Sequence, residues 1–418
     1  MSAPSTTSPK FAFPAWLNQA YLEDAIRNKY KDSSVKISKF EPSPATSVGD
    51  NYASVLFRIG IEFESDKCKQ PQRTSFILKT SFQQLPNTEP IEALELYNIY
   101  QREIVLYDCI FPKFQNILKN IGCVEDLVPD TIKVDRHCDG LLFEDLKLRN
   151  YITLERRVGL DIEHTQLLLR KLAKFHAASI IFNEKERQSL EKFDYGIFNK
   201  HTRIYAPFFT SYLETCGETV SEWKGFEQLG EKLIKLKDKV MDYGEKVFEV
   251  NPNHLNVLAH GDLWKNNVMF QYDNSGKVKD VIILDFQFTC WASPAIDLHY
   301  LFRTSLIEDI QEEQLKDFVE QYHSSLSEIL TALGYRGKLS TFPQFWIEFT
   351  KKSFYAVTSA FVVQPLQINE KPDEGNAFDL LGNDEQSKKF RRMIYSNPRV
   401  HRTLKKLLPI FDKQGLLD

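Results

Sequence analysis

His260-Gly261-Asp262-Leu263-Trp264-Lys265-Asn266-Asn267, followed by Ile283-Leu284-Asp285-Phe286, decides how this chain is read. It sets a His-preceded aspartate five positions before an asparagine, and places a second aspartate at the end of an apolar run. Phosphoryl transfer from ATP requires such a set. One carboxylate orients the attacking hydroxyl and accepts its proton, while an amide and a second carboxylate hold magnesium on the phosphates. The 23-position interval from Asp262 to Asp285 fits a hairpin that returns to its own starting edge. Val268-Met269-Phe270 reads as one strand, Asp273-Asn274-Ser275-Gly276 as its turn and Val281-Ile282-Ile283-Leu284 as the returning strand. Each tripeptide alone is compatible with an ordinary turn or strand end; the joint spacing selects Asp262 as catalytic base with Asn267 and Asp285 as metal ligands.

Working outward, 418 residues allow two lobes with a sizeable core. A net charge of −4 and a pI near 6.2 give no reason to expect nucleic-acid binding. The 31 Phe and 17 Tyr suit a pocket for an apolar ligand, although a Phe-rich core accounts for them equally well. Six cysteines lack CxxC pairs or metal-ligand rhythm, which predicts reduced thiols in a cytoplasmic protein. The first residues lack an apolar signal region, and 1–12 read as a disordered tail. No membrane span is expected; residues 354–363 are too short and read as a buried helix.

Residues 16–30 read as an amphipathic helix after Pro14. Strict alternation of Ala53, Val55, Phe57, Ile59, Ile61 and Phe63 predicts a long strand with one buried face. Residues 73–80 predict another strand, 90–120 a long helix breaking near Pro112, and 131–135 and 141–143 two short strands. Helices are expected at 162–179, 226–248, 310–333 and 342–363. The pattern predicts an α+β, bilobal protein-kinase-like fold, with a small β-rich N-lobe carrying one long helix and a larger, mostly helical C-lobe. Its expected divisions are a nucleotide-binding lobe at 13–143, a hinge at 144–150 and a helical lobe with the catalytic loop and substrate pocket at 151–418.

The β-rich lobe should supply a phosphate-binding lysine and an acid to hold it. Lys79 ends the run Phe76-Ile77-Leu78, and Glu103 lies in the following helix; two solvated surface charges are the alternative. Gly49-Asp50-Asn51-Tyr52-Ala53-Ser54 precedes the alternating strand, where a phosphate-covering loop belongs. With one glycine it is less permissive of close backbone approach. Main-chain amides around Gly49 and Asn51 and the Ser54 hydroxyl are its candidate donors, and an ordinary turn is the rival. Backbone groups from Glu144 to Leu146 should meet the adenine edge. His176 reads as a satisfied core histidine, and Asp297 as a helix N-cap or first-turn acid able to brace the catalytic loop.

In order along the chain stand Gly49-Asp50-Asn51-Tyr52, Ile77-Leu78-Lys79, Arg102-Glu103 with Tyr107, Phe143-Glu144-Asp145-Leu146, Leu172-Ala173-Lys174-Phe175-His176-Ala177, the catalytic segment and Leu284-Asp285-Phe286. Together they resemble the insect ecdysteroid kinase-like proteins, also called CHK kinase-like, within the aminoglycoside phosphotransferase and choline kinase superfamily. The resemblance implies ATP, Mg2+ and a small-molecule hydroxyl acceptor, with ecdysteroids and plant or xenobiotic alcohols as substrates. By position it implies Asp262 as base, Asn267 and Asp285 on magnesium, and Lys79 with Glu103 as the phosphate clamp. Two departures stand out: Gln287 replaces the glycine of the protein-kinase DFG, and Gly261 stands where choline kinases carry asparagine.

The expected activity is therefore ATP-dependent phosphorylation of a hydrophobic alcohol, an ecdysteroid first. Choline or ethanolamine phosphorylation is one alternative, with Trp264, Trp291 and Tyr300 as a conceivable cation cage or as packing beneath the loop. A hormone-binding kinase fold without turnover is the other. Residues 370–385 and Ser396-Asn397-Pro398 read as a lid or as surface loops.

Overall fold

A computed structural model describes residues 13–45, 54–68, 70–84, 97–155, 158–201, 203, 206–310, 312–369, 382 and 384–418. The expected tail at 1–12, Gly49 and Asn51 of the phosphate loop, and 370–381 with 383 of the possible lid lie outside these. The fold class is the expected α+β type. The chain falls into two compact units, one formed by Met1–Asp108 with Pro129–Arg149 and the other by Cys109–Val128 with Asn150–Asp418.

The first unit is a five-stranded antiparallel sheet with helices. Strands β1 (Lys36–Pro44), β2 (Val55–Glu64), β3 (Gln72–Thr80), β4 (Thr131–Asp135) and β5 (Gly140–Glu144) stand in the order β1-β2-β3-β5-β4. The alternation in β2 does what its period requires: Phe57, Ile59 and Ile61 are buried with Phe76, Leu78 and Leu142. Helix α1 (Gln19–Tyr30) is capped by Asn18, whose side chain accepts from the Tyr21 amide, and it adds Leu22, Ala25 and Ile26 to this core. Strand β1 has no counterpart in the pattern analysis. Pro42 and Pro44 argue against a strand, yet an edge position leaves the missing N–H groups harmless.

The helix expected over 90–120, of which 90–96 lie outside the described residues, is interrupted just ahead of Pro112, near which the break was expected. Helix α2 (Ile99–Val105) runs into a π-helical turn, Leu106–Ile110, and Pro112 sits in the first turn of α3 (Phe111–Lys119), where its missing N–H costs nothing. Residues Cys109–Val128 group with the second unit, although they lie within the 13–143 span. Their side chains explain it: Phe114 rings lie 5.6 and 5.4 Å from Phe175 and Phe182, and the Ile283 amide donates to Leu127 O at 3.1 Å.

The second unit is built around α4 (Ile162–Lys185), with Asp161 as its N-cap and Leu168, Leu172, Phe175 and His176 fully buried. A three-stranded sheet, β6 (Tyr151–Ile152), β8 (Val268–Tyr272) and β9 (Val278–Ile283), carries the expected hairpin in the order β6-β8-β9. Its turn is closed by Asp273, whose carboxylate accepts from the Ser275 and Lys277 amides, with Gly276 at φ +82°. Strand β7 (Val257–Ala259) pairs with β10 (Cys290–Ala292). Helices α5 (Ala206–Ser221), α6 (Glu227–Leu236), α7 (Val240–Phe248), α8 (Ala295–Thr304), α9 (Glu312–Ala332) and α10 (Phe342–Lys351) follow the chain. The helix expected over 226–248 is thus two helices, and the one expected over 342–363 ends early. There α11 (Phe354–Thr358) and a π turn, Ser359–Val363, continue as a buried segment. Ser396-Asn397-Pro398 joins α12 (Glu385–Tyr395) to α13 (Pro398–Lys413), with Asn397 capping the latter. Among the described residues, no helix is long and apolar enough to cross a membrane.

One buried charge organises the junction of α4 with this sheet. Lys171 Nζ lies 2.8 Å from Glu125, 2.8 Å from Asp280 and 2.8 Å from the Asp126 carbonyl, with its side chain 1% exposed. Replacing it with methionine removes the buried cation that Glu125 and Asp280 share, leaving Lys174 alone on Glu125, so Lys171→Met is expected to cost about 3 kcal/mol in urea unfolding. Burial opposes ionisation of Glu125, but Lys171 and Lys174 override it and hold the carboxyl down to about 2, against an ordinary 4.5. Its contribution to stability is therefore complete above about pH 4.5 and fades as pH falls toward about 2. Glu125→Gln should flatten that acid limb; an unchanged limb would count against the ion-pair assignment.

Candidate functional site

In the first unit, Phe76 and Leu78 point into the sheet core, so the period-two alternation of β3 sends Lys79 to the opposite face, where its Nζ meets Glu103 of α2 at 2.6 Å. Both side chains are almost fully buried, 6% and 2% exposed, so the alternative of two solvated charges does not hold. A pair this enclosed persists only with close geometry, since each charge alone would be costly. Ser54 is buried just ahead of β2. Glu144 ends β5, and its carboxylate accepts from the Asp130 amide at 2.9 Å and from Arg149 at 3.0 Å. Leu146 is buried and opens a short 3-10 turn.

Between them, Asp145 is the residue that anchors the 144–146 segment. It accepts from Arg58 Nε at 2.6 Å and Ser75 Oγ at 2.7 Å, tying the end of β5 to β2 and β3. Burial raises the Asp145 carboxyl, but the hydrogen bonds from Arg58 and Ser75 hold it below the usual carboxylate range. Sequence reading passed over this pair because Arg58 looks like any outward residue of an alternating strand.

In the second unit, the catalytic segment folds back on itself. Asn267 Nδ2 donates to the Asp262 carbonyl at 2.9 Å and to its Oδ2 at 3.0 Å. Tyr300 of α8 donates its hydroxyl to the other carboxylate oxygen, Oδ1. Asp262 is half-buried as a residue, with protein packed around its carboxyl. Burial pushes its pKa up to about 7, Asp285 and Asp297 reinforce the rise, and the bonds from Tyr300 and Asn267 oppose it.

His260 connects this loop to the second aspartate. Its Nδ1 accepts from the Asp262 amide at 3.2 Å and its Nε2 lies 2.7 Å from the Leu284 carbonyl, which assigns the proton to Nε2. The Leu284 amide donates to Asn267 O at 2.8 Å. Asp285 itself takes a left-handed backbone, φ +61°, a conformation that aspartate tolerates better than most residues. Phe286 turns inward against Phe111, Phe175 and His260. Gly261 stands at φ +81°, and a Cβ there would lie 2.2 Å from Phe288 O.

Asp297 lies in the first turn of α8 and is fully buried. Its two oxygens accept from the His260 amide at 2.7 Å and the Gly261 amide at 2.9 Å, and His176 Nε2 lies 3.0 Å away. Burial raises its carboxyl, but the His176 bond and neighbouring charges hold it below the usual range. The expected core histidine is therefore satisfied, with Tyr322 Oη 2.6 Å from its other nitrogen. Tyr300 is the functional side chain that sequence reasoning underrated. The available signal was its spacing of three from Asp297, which puts both on one helical face. Of the three conceivable cage residues, Trp291 and Tyr300 are 8% and 2% exposed, while Trp264 is half-buried.

Asn267 has its amide oxygen left for a hard cation, and Asp285 has a carboxylate. No group of three or more His, Cys, Asp and Glu among the described residues could hold a metal. An oxygen donor set of two residues fits magnesium, which takes one or two protein ligands and completes its shell with phosphate and water.

Residues 48–335, more than half of the sequence, match the Ecdysteroid kinase-like family. The chain belongs to that family. Membership places it among the small-molecule kinases, phosphotransferases acting on hydroxyl groups. None of the curated proteins matches it. Among solved structures it is similar to choline kinase from Cryptosporidium parvum Iowa II, at 12% identity over 96% of this chain and 98% of that one, TM-score 0.46. It is also similar to Plasmodium vivax ethanolamine kinase, at 15% identity over 92% and 87%, TM-score 0.36.

Proposed function

We propose that this family member transfers the γ-phosphoryl group of ATP to a hydroxyl of a hydrophobic small molecule, an ecdysteroid first and a plant or xenobiotic alcohol next. The observation that carries the reading is the Asp262 carboxylate, enclosed and held by Asn267 and Tyr300. A carboxyl whose basicity is raised toward neutrality is suited to accept a hydroxyl proton. In this reading Asp262 orients the acceptor hydroxyl and takes its proton as the new P–O bond forms. Lys79, fixed by Glu103, binds the α- and β-phosphates. The Ser54 hydroxyl, with main-chain amides near Gly49 and Asn51, donates to phosphate oxygens. Backbone groups from Glu144 to Leu146, anchored through Asp145, take the adenine edge. Asn267 and Asp285 would hold magnesium, whose charge would offset that of the phosphates. The setting we infer is cytoplasmic, in keeping with six free thiols.

Two measurements test this. Mg-ATP at a hundredfold excess over its Kd should raise stability by about 2.7 kcal/mol in a thermal-shift titration. A panel of ecdysteroids, plant alcohols and choline, incubated with Mg-ATP, should show a mass gain of one phosphoryl group on a steroid or alcohol. Turnover of choline alone would move the assignment to the cationic-substrate reading. No stabilisation and no turnover would leave a hormone-binding protein on a kinase fold.

A further inference from the structure

Asp297 and Tyr300 leave α8 on the same face, one turn apart, and grip the catalytic loop in two different ways. Asp297 binds its backbone, at the His260 and Gly261 amides. Tyr300 reaches past the backbone to Oδ1 of the Asp262 side chain. Since Asn267 occupies Oδ2 at 3.0 Å, each carboxylate oxygen has its own donor, one from within the loop and one from the helix beneath it.

The phenol is itself positioned. Gln367 Nε2 donates to Tyr300 Oη at 3.3 Å. The ring stacks on Tyr355, centroids 5.8 Å apart at 21°, and the Tyr355 hydroxyl donates to the Gly261 carbonyl at 3.4 Å. Phe248 and Phe198 meet Tyr355 edge-on at 5.1 and 6.3 Å. Phenylalanine at 300 would fill the same volume and make the same stack. The hydroxyl is therefore not needed for packing, and its one effect on the loop is to hold the carboxylate.

We propose that Tyr300 is a positioning residue for phosphoryl transfer: its phenol fixes the rotation of the Asp262 carboxylate, so that the remaining lone pairs stay aimed at the acceptor hydroxyl. The proposal rests on the assignment of Asp262 as base. A carboxylate held only by Asn267 keeps one donor and turns about its Cβ–Cγ bond. Small losses of alignment at a reacting atom cost one to two orders of magnitude in rate. Tyr300 touches neither substrate nor phosphate in this scheme and acts through Asp262 alone.

The test is Tyr300→Phe, read in kinetics and in the carboxylate itself. With whichever panel alcohol the wild type phosphorylates, kcat should fall about tenfold to a hundredfold with KM for Mg-ATP unchanged, while the thermal midpoint falls modestly because Gln367 and Asp262 lose a buried partner. In an Asp262→Asn background the same substitution should cause no additional loss, because the two side chains act as one unit. Independently of turnover, 13C-carboxyl labelling of aspartate identifies the Asp262 resonance as the one missing from Asp262→Asn; that resonance should move in Tyr300→Phe. An unmoved resonance, an unchanged kcat, or a further loss in the Asp262→Asn background overturns the proposal. Absence of wild-type turnover on every alcohol counts instead against the kinase reading, while the NMR arm still decides whether Tyr300 holds the carboxylate.

Discussion

Asp262→Asn is expected to lower turnover of the phosphorylated alcohol by about 10²–10⁴-fold, the span over which a positioned general base acts. The same substitution should leave the unfolding midpoint unchanged or raise it slightly. Asp262 is enclosed by protein and lies close enough to Asp285 and Asp297 for their charges to raise its pKa, so a neutral amide relieves repulsion that the native protein tolerates. Activity and stability thus move in opposite directions, as expected where a site is held in a strained electrostatic state. Asparagine keeps one oxygen for the Tyr300 hydroxyl but turns an NH2 toward Asn267 Nδ2, itself a donor, so the unfolding midpoint is read beside activity to separate a lost base from a displaced loop. Mg-ATP binding, followed by thermal shift, should survive. Equal turnover by variant and wild type would remove Asp262 from the role of base.

Gly261→Asn should have the largest effect on folding. The exchange restores the residue that choline kinases carry at this position, and asparagine is among the side chains that best accept the φ of +81° found here. Backbone conformation alone would therefore predict a small cost. Contact decides otherwise: a Cβ at 261 lies 2.2 Å from Phe288 O and 2.8 Å from the Phe288 carbonyl carbon. Neither is a flexible side-chain tip, so the loop carrying Asp262 or the segment after Asp285 must shift. We expect a loss of roughly 3 kcal/mol or more in urea unfolding, on the scale of core overpacking combined with strain, and catalysis should fall with it. Gly261→Ala should behave alike, because it introduces the same Cβ. A variant of wild-type stability would show that the two segments separate more easily than their close approach suggests.

The two positions differ in how they appear along the chain. Asp262, Asn267 and Asp285, the base and metal ligands we propose, stand out in the sequence because the chemistry they would serve fixes residue types and the hairpin fixes their spacing. The Asp273–Gly276 turn and the apolar runs on either side announce that hairpin directly. Lys79 and Glu103 were recoverable for a similar reason, since a lysine ending an apolar strand and an acid in the next helix are local features. Gly261, by contrast, reads as any glycine. Its necessity comes from Phe288, which the fold brings against it from the far side of the hairpin.

Errors in the element pattern have equally specific causes. Strand β1 was hidden by Pro42 and Pro44, which are tolerated because β1 is an edge strand of its sheet. The break expected near Pro112 falls just ahead of it, where the chain departs from α-helical geometry at Leu106–Ile110 and proline starts the next segment. Lys171, within a run of leucines and basic residues, looks like a solvated charge; only the convergence of Glu125, Asp126 and Asp280 makes it a buried cross-link.

Residue types and short-range spacing determined the alternating strand, the catalytic hairpin, the acid and amide set at 262, 267 and 285, and the family to which the chain belongs. These follow from periodicity and from chemistry that tolerates few substitutes. Which side chains hold that set in place was decided by tertiary structure alone. Tyr300 is 38 positions from Asp262 and Asp297 is 37 from His260, and hydrogen bonds over such distances depend on how α8 packs beneath the loop, which no local pattern encodes.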